Sequence, residues 1–155
     1  MTEAAQDNNQ PSFNIEKLYV KDLSLEIPHA PHIFLEREAP QVDVQLHTQA
    51  APIEQEVFEV VITSTVTTKI GEKVMFLIEA KQAGIFRLRN LPGEDMESVL
   101  GVMCPNILFP YLREVVSDTA VRAGFAPVLL NPINFEVLFQ QQKQQQAQGA
   151  AATTH

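Results

Sequence analysis

Two histidines and one cysteine are the side chains of this 155-residue chain best suited to chemistry. His29 and His32 are three residues apart, a spacing that two metal ligands can have. A metal site also needs further ligands, and no carboxylate or cysteine is placed at a matching spacing in the proline-rich segment around them. We therefore interpret the pair as part of a polar loop and predict no metal and no other cofactor.

Cys104 is the single cysteine, so the chain cannot form an intramolecular disulfide or a cysteine-based zinc cage. A nucleophilic thiol needs a base or a cationic group beside it. Cys104 instead precedes Pro105 in an apolar run without a nearby histidine. We interpret it as a structural thiol packed in the interior.

No recognisable catalytic motif accompanies these residues. The motifs G-x-S-x-G, H-E-x-x-H and G-x-G-x-x-G are absent, and six glycines leave little material for a phosphate-binding loop. Asp22 and Glu26 are too common a pairing to identify a general acid and base. The sequence therefore predicts a protein that is not an enzyme.

The charge balance points to the kind of partner. Eleven lysines and arginines stand against 19 aspartates and glutamates, which gives a formal net charge of −8. Nucleic-acid binding requires a basic surface, so it is excluded, whereas a basic protein partner fits. Residues 1–10 lack the features of a signal peptide, and no apolar run reaches the ~20 residues of a membrane span. We predict a cytoplasmic protein without membrane insertion.

The length predicts one domain, residues 1–155, with unstructured tails at residues 1–10 and about 144–155, where the composition is polar or glutamine-rich. Period-two alternation and β-branched residues predict strands in the first half, with a hairpin turn at residues 70–72. The predicted strands are residues 13–27, 41–48, 56–68 and 73–82.

Alternation in the first predicted strand places Phe13, Tyr19 and Leu23 on one face and Asp22 and Glu26 on the other, wetter face. In the fourth predicted strand, Leu77 and Glu79 point the same way because they are two residues apart. The sequence therefore predicts two outward pairs, one of them with an apolar member.

Helical spacing replaces alternation in the second half. It predicts a helix over residues 94–103 that ends at Pro105, and a second helix from Pro110 to Gly124, where glycine suits the position after a helix. Asn131 followed by Pro132 predicts the start of a last helix. Strands followed by helices indicate an α+β fold.

Apolar residues beside loops and in the last helix exceed what the periodicity assigns to a core. Nine phenylalanines occur, and a four-stranded sheet with a few helices covers only one face. These residues either complete one small core or line an exposed groove or an oligomer interface.

Five segments in order resemble the SecB family of bacterial protein-export chaperones. They are residues 19–24 (YVKDLS), 28–34 (PHAPHIF), 84–86 (GIF), 104–114 (CPNILFPYLRE) and 131–135 (NPINF). The resemblance covers about residues 11–140. It implies a four-stranded antiparallel sheet packed on a long helix, with a second C-terminal helix, and a homotetramer built as a dimer of dimers. Its implied oligomer-interface residues are Ile78, Ala80 and Gln82.

The resemblance also implies the function. SecB-like proteins hold precursor proteins unfolded without ATP and deliver them to the SecA motor, whose docking tail is basic and carries zinc. The implied SecA-binding residues are Asp22, Glu26, Leu77 and Glu79. Where family members often have tryptophan, this chain has Glu38. The implied client-binding groove is formed by Phe34, Leu35, Val42, Val44, Leu46, Phe135, Leu138 and Phe139.

Two other functions fit the residues. One is a small enzyme or ligand-binding domain that uses an apolar groove for a small molecule, and the other is a general chaperone or oligomeric scaffold without an export role. Charge reversal at Asp22 and Glu26 distinguishes these, because only the export function requires weaker motor binding with client binding kept.

Overall fold

A computed structural model describes residues 9–152 of the chain, with side chains described as far as residue 149. Four antiparallel strands form one sheet in the order β1-β4-β3-β2, and two helices follow. The predicted α+β class and four-stranded antiparallel sheet are confirmed. The elements are β1 (Ser12–Glu26), β2 (Gln41–Glu54), β3 (Val57–Ile70), β4 (Lys73–Arg89), α1 (Gly93–Arg122) and α2 (Phe135–Ala152).

The order of the strands leaves β1 and β2 at the two edges of the sheet, joined by a crossover segment, residues 27–40. The predicted hairpin between β3 and β4 is confirmed, and Gly71 has the positive φ of 58° that its turn requires. β2 continues to Glu54 and includes Pro52. An edge strand tolerates proline because one side of its backbone makes no hydrogen bonds to a neighbouring strand.

β1 contains two register shifts against β4, between Ile15 and Lys17 and between Val20 and Asp22. Each β-bulge adds a residue and reverses the alternation of side chains that follows. Tyr19 therefore lies on the same face as Asp22, and the predicted grouping of Tyr19 with Leu23 is wrong.

Helix α1 packs against β3 and β4 and covers one face of the sheet, here called the inner face. Large apolar side chains from both layers are buried between them, and each contributes roughly 1.5–3 kcal/mol. The uncovered side is called the outer face. The principal buried residues are Val60, Ile62, Val66, Phe76, Ile78, Phe86, Leu108, Leu112 and Val116.

The inner face of β4 also holds the residues expected at an oligomer interface. Ile78 and Ala80 are 0% exposed, and Gln82 is 4% exposed, within a single protomer. These three side chains are covered within one protomer. Their place at an oligomer interface, which the family resemblance implies, stays a prediction.

Helix α1 runs without interruption from Gly93 to Arg122, so the predicted break between Pro105 and Pro110 is wrong. A π-helical segment, Val99–Met103, precedes Pro105, and its wider turn gives the ring of Pro105 room. Pro110 lies on the exposed side. The length and composition of α1 would suffice to cross a membrane. One side of α1 is, however, buried against the sheet, as in a core helix.

Local hydrogen bonds define the C-terminal end of α1 and the N-terminal end of α2. Gly124, with φ of 94°, follows the C-cap of α1, as predicted, and the amide of Phe125 donates to the carbonyl of Ala120 at 3.0 Å. The predicted start of the last helix at Asn131 is wrong, because Asn134 Oδ1 accepts from the amide of Val137 at 3.1 Å and caps α2.

The predicted N-terminal tail lies mostly outside the described residues. At the other end, α2 continues to Ala152, through a region that the composition assigns to an unstructured tail from about residue 144. Glutamine and alanine have high helix propensity, which accounts for the longer helix.

Candidate functional site

The outer face brings together the four residues predicted to bind a motor protein. In the β1–β4 ladder, Glu26 lies opposite Leu77, and Ser24 lies opposite Glu79. Directly opposed residues of antiparallel strands project to the same side of the sheet. Asp22 lies two residues before Ser24, so its side chain projects to that side as well. We call Asp22, Glu26, Leu77 and Glu79 the outer patch.

The acids of the outer patch have no ion-pair partner among the residues that the structure describes. Asp22 and Glu26 are exposed, whereas Leu77 and Glu79 are partly buried. Asp43 of β2 extends the row of Glu26 and Leu77, because Thr67 lies opposite both Leu77 and Asp43. Glu26 and Asp43 therefore end this row at the two edges of the sheet, with Leu77 and Thr67 between them, while Lys81 lies opposite Asp22.

Next to the outer patch, Glu59 is fully engaged with its neighbours. Lys21 Nζ lies 2.6 Å from Glu59 Oε1, and the hydroxyl of Tyr19 donates to Glu59 Oε2. The hydrogen bonds from Lys21 and Tyr19 lower the pKa of Glu59. Burial, followed by the contact with Glu59, raises the pKa of Tyr19 to about 12. The charges of Lys21 and Glu59 cancel, so this cluster adds no net charge to the outer face.

An open groove of about 830 Å³ lies on the opposite, inner side of the sheet. One wall is the inner face of β2, where Val42, Val44 and Leu46 alternate with the residues of the outer face. The other wall is the segment that links the helices, residues 125–133, together with Leu138 of α2. Four of the predicted client-binding residues, Val42, Val44, Leu46 and Leu138, therefore line this groove.

The predicted residues of the crossover segment lie beside the groove. The ring of Phe34 stacks on Phe125 at 5.0 Å, and Phe125 stacks in turn on Phe76 at 4.7 Å. Phe34 thereby supports the groove wall while keeping about half of its surface exposed. Leu35 is 76% exposed and is not part of the lining.

Two of the predicted residues in α2 pack away from the groove. Phe135 is buried in the core against Phe109, with ring centroids 5.6 Å apart. Phe139 lies against Gly101 so closely that a Cβ atom there would be 2.4 Å from its ring. Both side chains anchor α2 to the helical layer, so they position the groove wall rather than form it.

The linking segment was missed by the sequence analysis, although it supplies much of the lining. Its apolar run between Gly124 and Pro132 (FAPVLLN) was the available signal. Every lining residue is uncharged, and Thr68 and Asn131 are the polar ones among them. The groove is therefore suited to apolar chain segments and disfavours charged ones.

Other side chains offer little chemistry. Burial raises the pKa of the Cys104 thiol to about 12, so its nucleophilic thiolate form is scarce at neutral pH. Across residues 9–149, no three histidine, cysteine or acidic side chains come together as a metal site.

Comparison with known proteins places the chain among export chaperones. The family model described as preprotein translocase subunit SecB matches residues 6–146. Proteins named "Protein-export protein SecB" from Methylobacillus flagellatus and Nitrosomonas eutropha are 60% and 63% identical to this chain. The first alignment covers 99% of this chain and 98% of the relative, and the second covers 95% and 91%.

Among solved structures, a SecB-like chaperone of Mycobacterium tuberculosis, determined in complex with an antitoxin peptide, has a similar fold. The TM-score is 0.64 at 16% sequence identity, and the alignment covers 78% of this chain and 90% of that one. The likeness supports the described fold.

Proposed function

The chain belongs to the SecB family, and from that membership we propose that it is an ATP-independent cytoplasmic chaperone that keeps precursor proteins unfolded for export. The observation that carries the proposal is the open groove of about 830 Å³ with an uncharged lining. An unfolded chain exposes apolar side chains that a folded protein hides, so such a groove selects unfolded clients. The chaperone acts by binding and not by catalysis.

Weak contacts at each groove suit this task. One client side chain buried in the groove contributes roughly 1.5–3 kcal/mol, which is too little for tight capture. A homotetramer, arranged as a dimer of dimers, offers four grooves to one long client. Each additional contact then forms at high effective concentration, which gives firm but reversible binding.

Exposed apolar residues support the proposed tetramer. Val20, Leu23 and Leu25 lie on the inner face of edge strand β1, opposite Gln82, Ala80 and Ile78, yet remain 38–47% exposed. Tyr111 and Val121 of α1 are about half exposed. A second copy that covers β1 and α1 would bury them. Sedimentation of the wild type should give a tetramer, and Leu23→Lys with Leu25→Lys should give smaller species.

We further propose that the outer patch binds the SecA motor through its basic, zinc-containing tail. The outer patch holds three acids without an ion-pair partner in the described chain, and Glu26 lies opposite Leu77, so a basic segment would gain several ion pairs and one apolar contact. Each exposed ion pair contributes only about 0.2–1 kcal/mol and is screened by salt, so the acids must act together.

The test of the chaperone proposal is aggregation of a denatured secretory precursor, followed by light scattering without nucleotide. The wild type should suppress scattering, and it should not bind the same precursor once that precursor has folded. Failure to slow aggregation or refolding would favour the second candidate, an oligomer that binds an apolar small molecule, since the groove has a volume typical of ligand sites.

A further inference from the structure

The second bulge of β1 determines the direction in which the acids of the outer patch point. Val20 and Asp22 lie opposite two consecutive residues of β4, so Lys21 is the extra residue between them. Because side chains alternate along a strand, β1 without this extra residue would turn Asp22 and Glu26 to the inner face. The outer patch therefore depends on a bulge at Lys21.

Side chains on both sides of the bulge are tied to a single carboxylate on β3. Lys21 Nζ lies 2.6 Å from Glu59 Oε1, and the hydroxyl of Tyr19 donates to Glu59 Oε2. β4 lies between β1 and β3, so both side chains must cross it to reach Glu59. Ala83 of β4 lies opposite Tyr19 and is 0% exposed although it faces outward, as expected beneath a side chain that crosses β4.

The position of a bulge is decided by local contacts. If the bulge moved by one residue, Lys21 would lie opposite Lys81, Asp22 would become the extra residue, and the ladder from Leu23 onward would stay the same. Hydrophobic burial is equal in the two arrangements, because the inward side chains of β1 do not change. The bonds to Glu59 favour the observed arrangement, in which Asp22 has a regular place in the ladder.

We propose that Tyr19, Lys21 and Glu59 form a clamp that fixes the bulge of β1 and thereby positions Asp22 for the basic tail of SecA. This inference rests on the proposed docking of SecA at the outer patch and adds three positioning residues to it. The clamp has no net charge, so it does not attract the tail itself. It acts through the direction of a neighbouring acid.

The test is calorimetric titration of the full-length protein with the zinc-loaded tail of SecA as a synthetic peptide. Tyr19→Phe removes one hydrogen bond and no charge, and it should weaken tail binding about 3-fold. Lys21→Met should weaken binding about 3- to 10-fold, although it makes the outer face more negative. Client affinity should be kept in both variants, which shows that they fold and that the loss is confined to the outer face.

Lys17→Met is the matched control, because Lys17 is also on β1 and takes no part in the clamp. It makes the same change in net charge as Lys21→Met and should keep or raise the affinity for a basic tail. If the three clamp residues acted only through their charge, Lys21→Met would likewise raise the affinity. Tighter binding by Lys21→Met would therefore overturn the clamp.

Backbone chemical shifts of residues 20–23 provide the second measurement, because the extra residue of a bulge has a conformation unlike that of a regular strand. Tyr19→Phe and Lys21→Met should change the shift of Asp22 and leave the shifts of β2 unchanged. Unchanged shifts at Asp22, or unchanged tail affinity in both variants beside a wild type that binds, would overturn the clamp alone. Failure of the wild type to bind the tail would contradict the docking site and, with it, the role of the clamp.

Discussion

The outer and inner faces of the sheet are built from the same strands but have opposite chemistry. On β4, Leu77 and Glu79 point outward, whereas Ile78 and Ala80 are buried inward. On β2, Asp43 points outward, whereas Val42 and Val44 point into the groove. A period of two therefore allows one sheet to carry an electrostatic surface on one side and a hydrophobic surface on the other.

This difference separates two kinds of binding by their physics. Charged contacts on the outer face weaken as salt rises, because ions screen exposed charges. Contacts in the groove depend on removing apolar surface from water and do not weaken in this way. We infer that client capture and motor docking can be changed independently by substitutions one residue apart.

The largest expected effect comes from a charge placed in the groove. Val44→Asp removes an apolar contact and sets a carboxylate against the client, so client affinity should fall about 100-fold. Gln45→Asp is the matched control, because Gln45 is the next residue and faces outward. Fluorescence titration with a labelled unfolded client measures both. Equal losses in the two variants would contradict the separation of the faces.

The next effect concerns the outer patch. Asp22→Lys combined with Glu26→Lys replaces attraction by repulsion and should weaken SecA binding about 10-fold at low salt, measured by calorimetry. Glu94→Lys with Asp95→Lys makes the same change in net charge at the exposed start of α1 and should leave SecA affinity nearly unchanged. Client affinity should be kept in both variants, and unchanged SecA affinity in the first would exclude this docking site.

A smaller effect is expected where α2 meets α1. Gly101→Ala would force Phe139 away, and the unfolding free energy should fall by about 1 kcal/mol although alanine normally favours a helix. Gly149→Ala is the control, since a Cβ there meets nothing within 4 Å. Thermal denaturation measures both. Because α2 supplies Leu138 to the groove wall and no residue to the outer patch, Gly101→Ala should also weaken client binding and leave SecA binding unchanged.

The smallest effect belongs to the neutralised cluster on the outer face. Glu59→Gln removes the ion pair with Lys21 and should lower the unfolding free energy by less than about 1 kcal/mol at neutral pH. The folded-state pKa of Glu59 lies below 4.5, so its stabilisation is present above pH 4.5 and is lost as pH falls through the lowered pKa. The difference from wild type in urea denaturation should therefore shrink below pH 4.5.

Period-two reasoning predicted much of both faces from the sequence. It placed Asp22 with Glu26 and Leu77 with Glu79 because regular strands leave little freedom in side-chain direction. It failed at Tyr19, where a bulge that depends on pairing with β4 reverses the alternation. The family resemblance supplied the antiparallel sheet that periodicity alone left open.

The helical layer was harder to predict because tertiary packing overrides local signals. Pro105 and Pro110 normally end helices, but burial of Leu108 and Leu112 on the sheet holds α1 together through both. The linking segment has no regular structure, so its role as a groove wall emerges only when it is brought opposite β2.

The most direct test of the two-face account is the salt dependence of both bindings to the same wild-type protein. Affinities for an unfolded client and for the basic tail of SecA would be measured between about 0.05 and 0.5 M sodium chloride. We expect the tail affinity to fall about 10-fold or more and the client affinity to stay constant or rise. A parallel fall of both affinities would contradict the account, because it would place both partners on charged surface.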